Sequence, residues 1–149
     1  MTTTEWNQEQ ALALKLFVVM TRSLESVKRN VEHDIRSHGL NPTEFAVIEL
    51  LYNKGDQPVQ KIGEKVLIAS SSITYVVDKL EKRGYTQRKP CPNDRRITFV
   101  SITEKGRSFM DEIFPSHVEA IESIMEGLDS EEKEKAIDLL KKLGKSTKL

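Results

Sequence analysis

Residues 69–84 read Ala-Ser-Ser-Ser-Ile-Thr-Tyr-Val-Val-Asp-Lys-Leu-Glu-Lys-Arg-Gly, and the fold turns on what this stretch becomes. Ile73, Val76, Val77 and Leu80 recur at helical spacing, which gathers them into one apolar stripe. Ser70 or Ser71 can cap the start, because a hydroxyl accepts a hydrogen bond from the orphan N–H groups of a first turn. Gly84 ends the helix, where a residue without Cβ turns left-handed at little cost. The opposite face carries Ser71, Ser72, Thr74, Tyr75, Asp78, Lys79 and Lys82. Short hydroxyl side chains let a helix approach closely, and they bond to phosphate oxygens or base edges. Such a face suits a helix lying in a DNA major groove. It equally suits an amphipathic helix whose polar face meets only water, so the flanking sequence has to decide.

Upstream, Pro58 opens a short helix with Ile62, Val66 and Leu67 inward, and Ile68-Ala69 makes a tight turn into the quoted stretch. A short helix, a turn and a longer polar-faced helix stand in the order of a helix-turn-helix. Downstream, residues 85–89 form a short strand. Residues 90–94, with two prolines and an Asn-Asp pair, break regular structure. Arg95 and Arg96 follow. The β-branched and aromatic run 97–102 is the clearest strand in the chain. Two strands around a basic loop make a hairpin, and a hairpin after a helix-turn-helix is a wing.

Farther out the pattern is helical. Residues 8–38 carry Leu12, Leu16, Met20, Leu24, Val27, Val31 and Ile35 at steps of four or three. A straight helix of that length spans about 45 Å, more than so small a chain can cover, so a second copy is expected on part of it. Asn41-Pro42-Thr43-Glu44 opens another helix, with Asn41 as cap. After the hairpin, Thr103 caps a helix that Pro115 should kink and Gly127 should end; Asp129 and Glu132 start the last one. The expected fold is mostly α with a small β-hairpin wing. Its units are a winged helix-turn-helix at 40–103 and dimerisation helices at 8–38 and 104–145, in one chain spanning 1–149.

The chain has 149 residues and a formal net charge of zero, with 23 Lys and Arg against 23 Asp and Glu. The charge is unevenly spread. Residues 79–107 hold nine Lys and Arg against three Asp and Glu, and both flanks are mildly acidic. Phosphate contact depends on local charge, so the neutral total does not exclude nucleic acid. No apolar run approaches the length of a membrane span, and no signal peptide is evident. One cysteine excludes an internal disulfide and a thiolate metal cluster. These readings favour the cytoplasm, with no cofactor and no metal. No Ser/His/Asp arrangement, Gly-rich phosphate loop or facing carboxylate pair supports an enzyme.

Lys79-Leu80-Glu81-Lys82-Arg83-Gly84-Tyr85, Asn93-Asp94-Arg95-Arg96 and Ser101-Ile102-Thr103-Glu104-Lys105-Gly106 together resemble the winged helix-turn-helix signature of the MarR (multiple antibiotic resistance regulator) family. The resemblance implies a homodimeric repressor that binds a pseudo-palindromic double-stranded operator and releases it when a small aromatic, often phenolic, molecule binds. Carried over residue by residue, Ser70, Ser71, Ser72, Thr74, Tyr75 and Lys79 match the recognition helix. Arg95 matches the wing arginine of the minor groove, and Asp94 the acid that orients such arginines. Arg88, Lys89 and Arg96 suit phosphate contacts.

The family's ligand pocket lies between the DNA-binding and dimerisation parts, which makes Phe17, Met20, Phe45 and Tyr52 candidates, although each also reads as core. The family's redox-sensing branch keeps a cysteine near the start of the first helix, and residues 11–17 contain none. Cys91 lies in the wing instead, where Arg88 and Lys89 should favour its thiolate; it is either a site for an electrophile such as a quinone or an incidental cysteine. His33 and His38 are five apart and share no helical face well, so His33, His38 and His117 are expected on exposed or interface faces rather than on a metal. The alternative function is a winged-helix protein–protein interaction module, which would have no need of a basic wing.

Overall fold

Asn7 opens the longest element. Its side chain accepts from the Gln10 N–H at 2.8 Å, and the Gln10 side chain accepts from the Asn7 N–H at 3.0 Å. This reciprocal capping box starts helix α1 (Gln8–Ser37) in the computed structural model, which describes residues 5–66 and 70–148. Ile35 is buried near the end of α1, whereas Leu12, Leu16, Phe17, Val19 and Leu24 are each more than half exposed.

Asn41 and Glu44 form a second capping box, with Pro42 at the first helical position, and start α2 (Pro42–Lys54). Phe45, Val47, Ile48 and Leu51 of α2 are buried. Gly55, at φ +82°, ends it in the left-handed region. Gln57–Pro58 then forms a short strand, β1, and α3 (Val59–Val66) begins one residue later than expected. Pro58 lies in a strand rather than opening the helix. It has no N–H to donate, and an edge strand is where a sheet tolerates that.

The expected turn at Ile68-Ala69 and the inward placement of Leu67 lie outside the described residues. Helix α4 (Ser70–Lys82) follows, and Gly84, at φ +81°, turns the chain out of it. The side chains of Ser70 and Ser71, and so their capping, also lie outside what the structure describes. Strands β2 (Thr86–Pro90) and β3 (Thr98–Ile102) pair antiparallel with Arg88 opposite Val100. With β1 on the other side of β3, they form a three-stranded sheet in the order β1-β3-β2.

Thr103 fastens the next turn twice. Its hydroxyl accepts from the Gly106 N–H at 3.0 Å and donates to the Gly84 carbonyl at 2.6 Å. Helix α5 (Glu104–Ile124) starts there and runs on through Pro115. The turn expected to break at Pro115 does not end the helix. That proline is exposed, so water can reach the carbonyl left without a helical donor. The helix stops at Met125, ahead of Gly127. Asp129 and Glu132 form a third capping box for α6 (Ser130–Ser146), along which no residue is buried.

The core lies where α2, α3, α4, β3 and α5 meet the C-terminal end of α1. Ile48, Leu51, Ile62, Val77, Leu80, Val100 and Met110 are wholly shielded. Each large aliphatic buried this fully contributes about 1.5–3 kcal/mol. The stripe of Ile73, Val76, Val77 and Leu80 is buried as its spacing predicts, and this turns the other face of α4 to solvent.

Candidate nucleic-acid interface

With that stripe packed inward, Ser72, Thr74, Tyr75, Asp78 and Lys79 all stand exposed on one side of α4. Tyr75 is the most prominent: two-thirds of its surface is open, and Lys79 Nζ lies 5.9 Å from its ring centroid. A large aromatic left in water one turn from a lysine offers stacking area and a positive charge together.

The wing stands next to this face. Its loop is closed by the Cys91 N–H donating to the Ile97 carbonyl at 3.0 Å and the Ile97 N–H donating to the Asp94 carbonyl at 3.1 Å. Arg95 and Arg96 are exposed at its tip, and Lys89 is exposed on β2. Asp94 pairs with an arginine as expected of the wing acid, but that arginine is Arg96. Its Nε is 3.1 Å from Asp94 Oδ1, and its backbone N–H donates to the same oxygen at 3.0 Å. These bonds from Arg96, side chain first and backbone second, hold the Asp94 carboxyl below its ordinary range. Arg95 projects beside this braced pair.

Arg88 departs from the sequence reading. Its guanidinium is held by Glu81 Oε2 at 2.7 Å and Asp78 Oδ1 at 2.6 Å, and its backbone N–H also donates to Glu81. Its cation is here engaged by two carboxylates rather than held out toward a phosphate. It ties β2 to α4 instead, so helix face and wing hold one orientation. Cys91 lies one residue beyond the end of β2. That cysteine is half-buried, with its backbone engaged in the loop.

Arg83 makes a second brace. It donates to the Gly39 carbonyl at 3.0 Å, lies 3.8 Å from buried Glu44, and sits 5.0 Å from the Tyr85 ring centroid. The turn between α1 and α2 is thereby joined to the end of α4.

Within one chain, the residues expected to line an effector pocket divide between two places. Phe45 is buried in the core and Tyr52 is half-buried, with its hydroxyl donating to Asp111 at 2.5 Å. That hydrogen bond raises the Tyr52 phenol above its ordinary range. Phe17 is 68% exposed and Met20 is half-buried, near the other end of α1. By helical rise, Phe17 sits about 26 Å from the level of Asp34, where α1 reaches α2 and α5.

His117 also differs from its expected place. It is buried, with Nδ1 2.8 Å from Asp34 Oδ2 and its ring 4.5 Å from that of Phe45. A signal was present in the sequence. Met110, Ile113 and His117 follow one another at steps of three and four, the inward stripe of α5. His33 is exposed and His38 half-buried. Among the described residues, no group of three or more His, Cys, Asp or Glu side chains could hold a metal ion, and no helix is long and apolar enough to cross a membrane.

Comparison with known proteins agrees with this geometry. A sequence model of the MarR family matches residues 40–98, from the turn before α2 to the start of β3. The HTH-type transcriptional regulator MhqR of Bacillus subtilis is 52% identical over 136 residues, which cover 91% of this chain and 94% of MhqR. Among solved structures, a probable transcriptional regulator from Pseudomonas aeruginosa is 26% identical and superposes with a TM-score of 0.75, covering 89% of this chain and 98% of that one. Sco3205, a MarR family regulator of Streptomyces coelicolor solved in complex with DNA, shares the fold at a TM-score of 0.76 and 18% identity, covering 95% of this chain and 89% of its own. A hydroxyl-rich helix face, a braced arginine wing and these relatives identify the chain as a member of the MarR family of DNA-binding transcriptional regulators.

Proposed function

We propose that this regulator is a homodimeric repressor. It binds a pseudo-palindromic operator with residues 40–103, dimerises through 8–38 and 104–145, and works in the cytoplasm, where it meets DNA. The observation that carries the reading is the joint exposure of the α4 face and the wing tip, locked together by Arg88. Ser72, Thr74, Tyr75 and Lys79, with Ser70 and Ser71 at the start of the same helix, read bases and nearby phosphates. Arg95 enters the adjacent minor groove, where a narrow groove concentrates negative potential. Asp94 braces the loop through Arg96. Lys89 and Arg96 supply affinity through phosphate charge. The exposed leucines of α1 and α6 support the dimer, because one chain alone leaves them in water.

Release by a small aromatic or phenolic molecule follows from the family resemblance. The effector would favour a spacing of the two recognition helices that no longer fits half-sites one turn apart. Phe45, Tyr52 and Phe114 supply ring faces where α2 meets α5, with Tyr52 and Phe114 centroids 5.6 Å apart. The test is binding of the purified protein to the DNA upstream of its own gene at two salt concentrations, with unrelated DNA as control. Specific, salt-sensitive binding by a dimer is expected. Equal weak binding to both DNAs would overturn the operator reading.

A further inference from the structure

Three helices meet at one imidazole. His117 on α5 is shielded from water, its ring tilted against Phe45 of α2 with centroids 4.5 Å apart and 5.9 Å from the ring of Phe114. Its Nδ1 is 2.8 Å from Oδ2 of Asp34 on α1, and its Nε2 is 4.0 Å from Oε2 of Glu49 on α2. The other Asp34 oxygen is 3.5 Å from Nε2 of His38, at the end of α1. The charged groups facing His117 are therefore Asp34, with His38 behind it, from α1, and Glu49 from α2. Farther back along α5, Asp111 and Arg107 are engaged with Tyr52.

Proton count decides how many of these contacts can be satisfied. A neutral imidazole has one N–H. If Asp34 takes it, a bare lone pair on Nε2 faces the Glu49 carboxylate. An imidazolium has two N–H groups: Nδ1–H bonds Asp34 at 2.8 Å, and the charged ring faces Glu49 through Nε2 as an ion pair at 4.0 Å rather than as a hydrogen bond. Burial pushes the Glu49 carboxyl up, and the neighbouring His117 acts in the opposite direction. The two carboxylates belong to different parts of the fold. Asp34 lies on the long helix packed along α5, and Glu49 lies on α2, which packs against α4.

We propose that Asp34, His117 and Glu49 form a proton-operated latch that fixes α2 and α4 to α1 and α5 when His117 is charged and loosens that junction when it is neutral. A fixed junction presents the recognition helix with less ordering left for DNA to impose, so the closed latch binds operator more tightly. The effect on DNA rests on the operator reading above; the latch itself does not.

The test compares wild type with Glu49→Gln, using the full chain at constant ionic strength. A glutamine accepts from an imidazolium and donates to a neutral imidazole, so it serves both states and removes the switch. Glu49 is partly exposed and glutamine is nearly isosteric with it, so the variant should fold. Binding to the DNA upstream of its own gene should be about fivefold tighter at pH 6 than at pH 8 for wild type, and should differ by less than about twofold for the variant. Equal pH ratios for the two proteins, or a wild type indifferent to pH, would overturn the proposal. Thermal melting without DNA separates the two readings. Wild type should gain on the variant at the lower pH and fall behind it at the higher. That crossover in a protein that binds no operator would support the latch and overturn the operator reading. Parallel melting curves would overturn the latch.

Discussion

Arg88 on the wing strand is bound to Glu81 on the helix before it, Nη1 to Oε2 at 2.7 Å, while Asp78 takes the other end of the guanidinium at 2.6 Å. The bonds are partly exposed, so Arg88→Ala should cost no more than about 1 kcal/mol of stability. Its effect on DNA is the sharper test. A lost phosphate contact lowers the slope of log affinity against log salt by about one, whereas a lost brace weakens binding without changing the slope. Arg88→Ala should behave as a lost brace and Lys89→Ala as a lost phosphate contact. Operator titrations at four salt concentrations separate them, and a reduced slope for Arg88→Ala would return that residue to the phosphate contacts.

The expectation for Arg88 shows where sequence reading stops. Periodicity placed the stripe of α4, the caps at Asn41, Thr103 and Asp129, and the β3 strand, because each depends on residues a few positions apart. A partner seven or ten residues away, across the turn at Gly84, is set by how the hairpin folds back. Asp34 and His117 are 83 positions apart, and no local pattern pairs them. The aromatic candidates part company for a related reason. Phe17 and Phe45 look alike by residue type, but one lies on a helix end that a single chain leaves bare and the other lies inside the core.

Arg95→Ala should weaken operator binding by about 1–3 kcal/mol, most strongly on sites with A·T-rich flanks where the wing would enter the minor groove. Asp94→Asn should weaken it less, since it loosens the brace on Arg96 and leaves Arg95 in place. The pH dependence has a definite sign. A carboxyl held below its ordinary range contributes above that range and loses its contribution as pH falls through it. Asp94 therefore stays ionised between about pH 5 and 8, and changes in operator affinity across that interval should survive Asp94→Asn. Affinity measured at both ends of the interval checks this. A pH effect abolished by Asp94→Asn would assign the titration to the wing.

Gly106→Ala should be among the most damaging small changes in the chain. A Cβ there would collide with the Tyr85 carbonyl oxygen and sit 2.9 Å from Ile102 Cγ1. The carbonyl cannot retreat, because it accepts from the Thr103 N–H at 3.0 Å and the Tyr85 ring is stacked on Phe109 with centroids 4.6 Å apart. Overpacking against backbone should cost about 3 kcal/mol or more. Gly127→Ala, where a Cβ meets nothing within 4 Å, is the control. Chemical denaturation of both variants checks the contrast, and similar midpoints would show that the start of α5 can shift.

Leu140→Glu tests the dimer. Leu140 is 53% exposed on α6, a helix with no buried residue, and Ile137 and Leu139 are exposed on the same helix. Folding of one chain therefore does not depend on Leu140, and helix content should stay at the wild-type level. A second copy covering its exposed half would gain about 1 kcal/mol from that leucine alone, and a glutamate there would bring an unpaired charge into the contact instead. Light scattering should give a dimer for wild type and a shift toward monomer for Leu140→Glu. Operator affinity should fall with the dimer, because two half-sites one turn apart need two linked recognition helices. A variant that stays dimeric and binds as wild type would remove α6 from the interface and leave α1 as its main element.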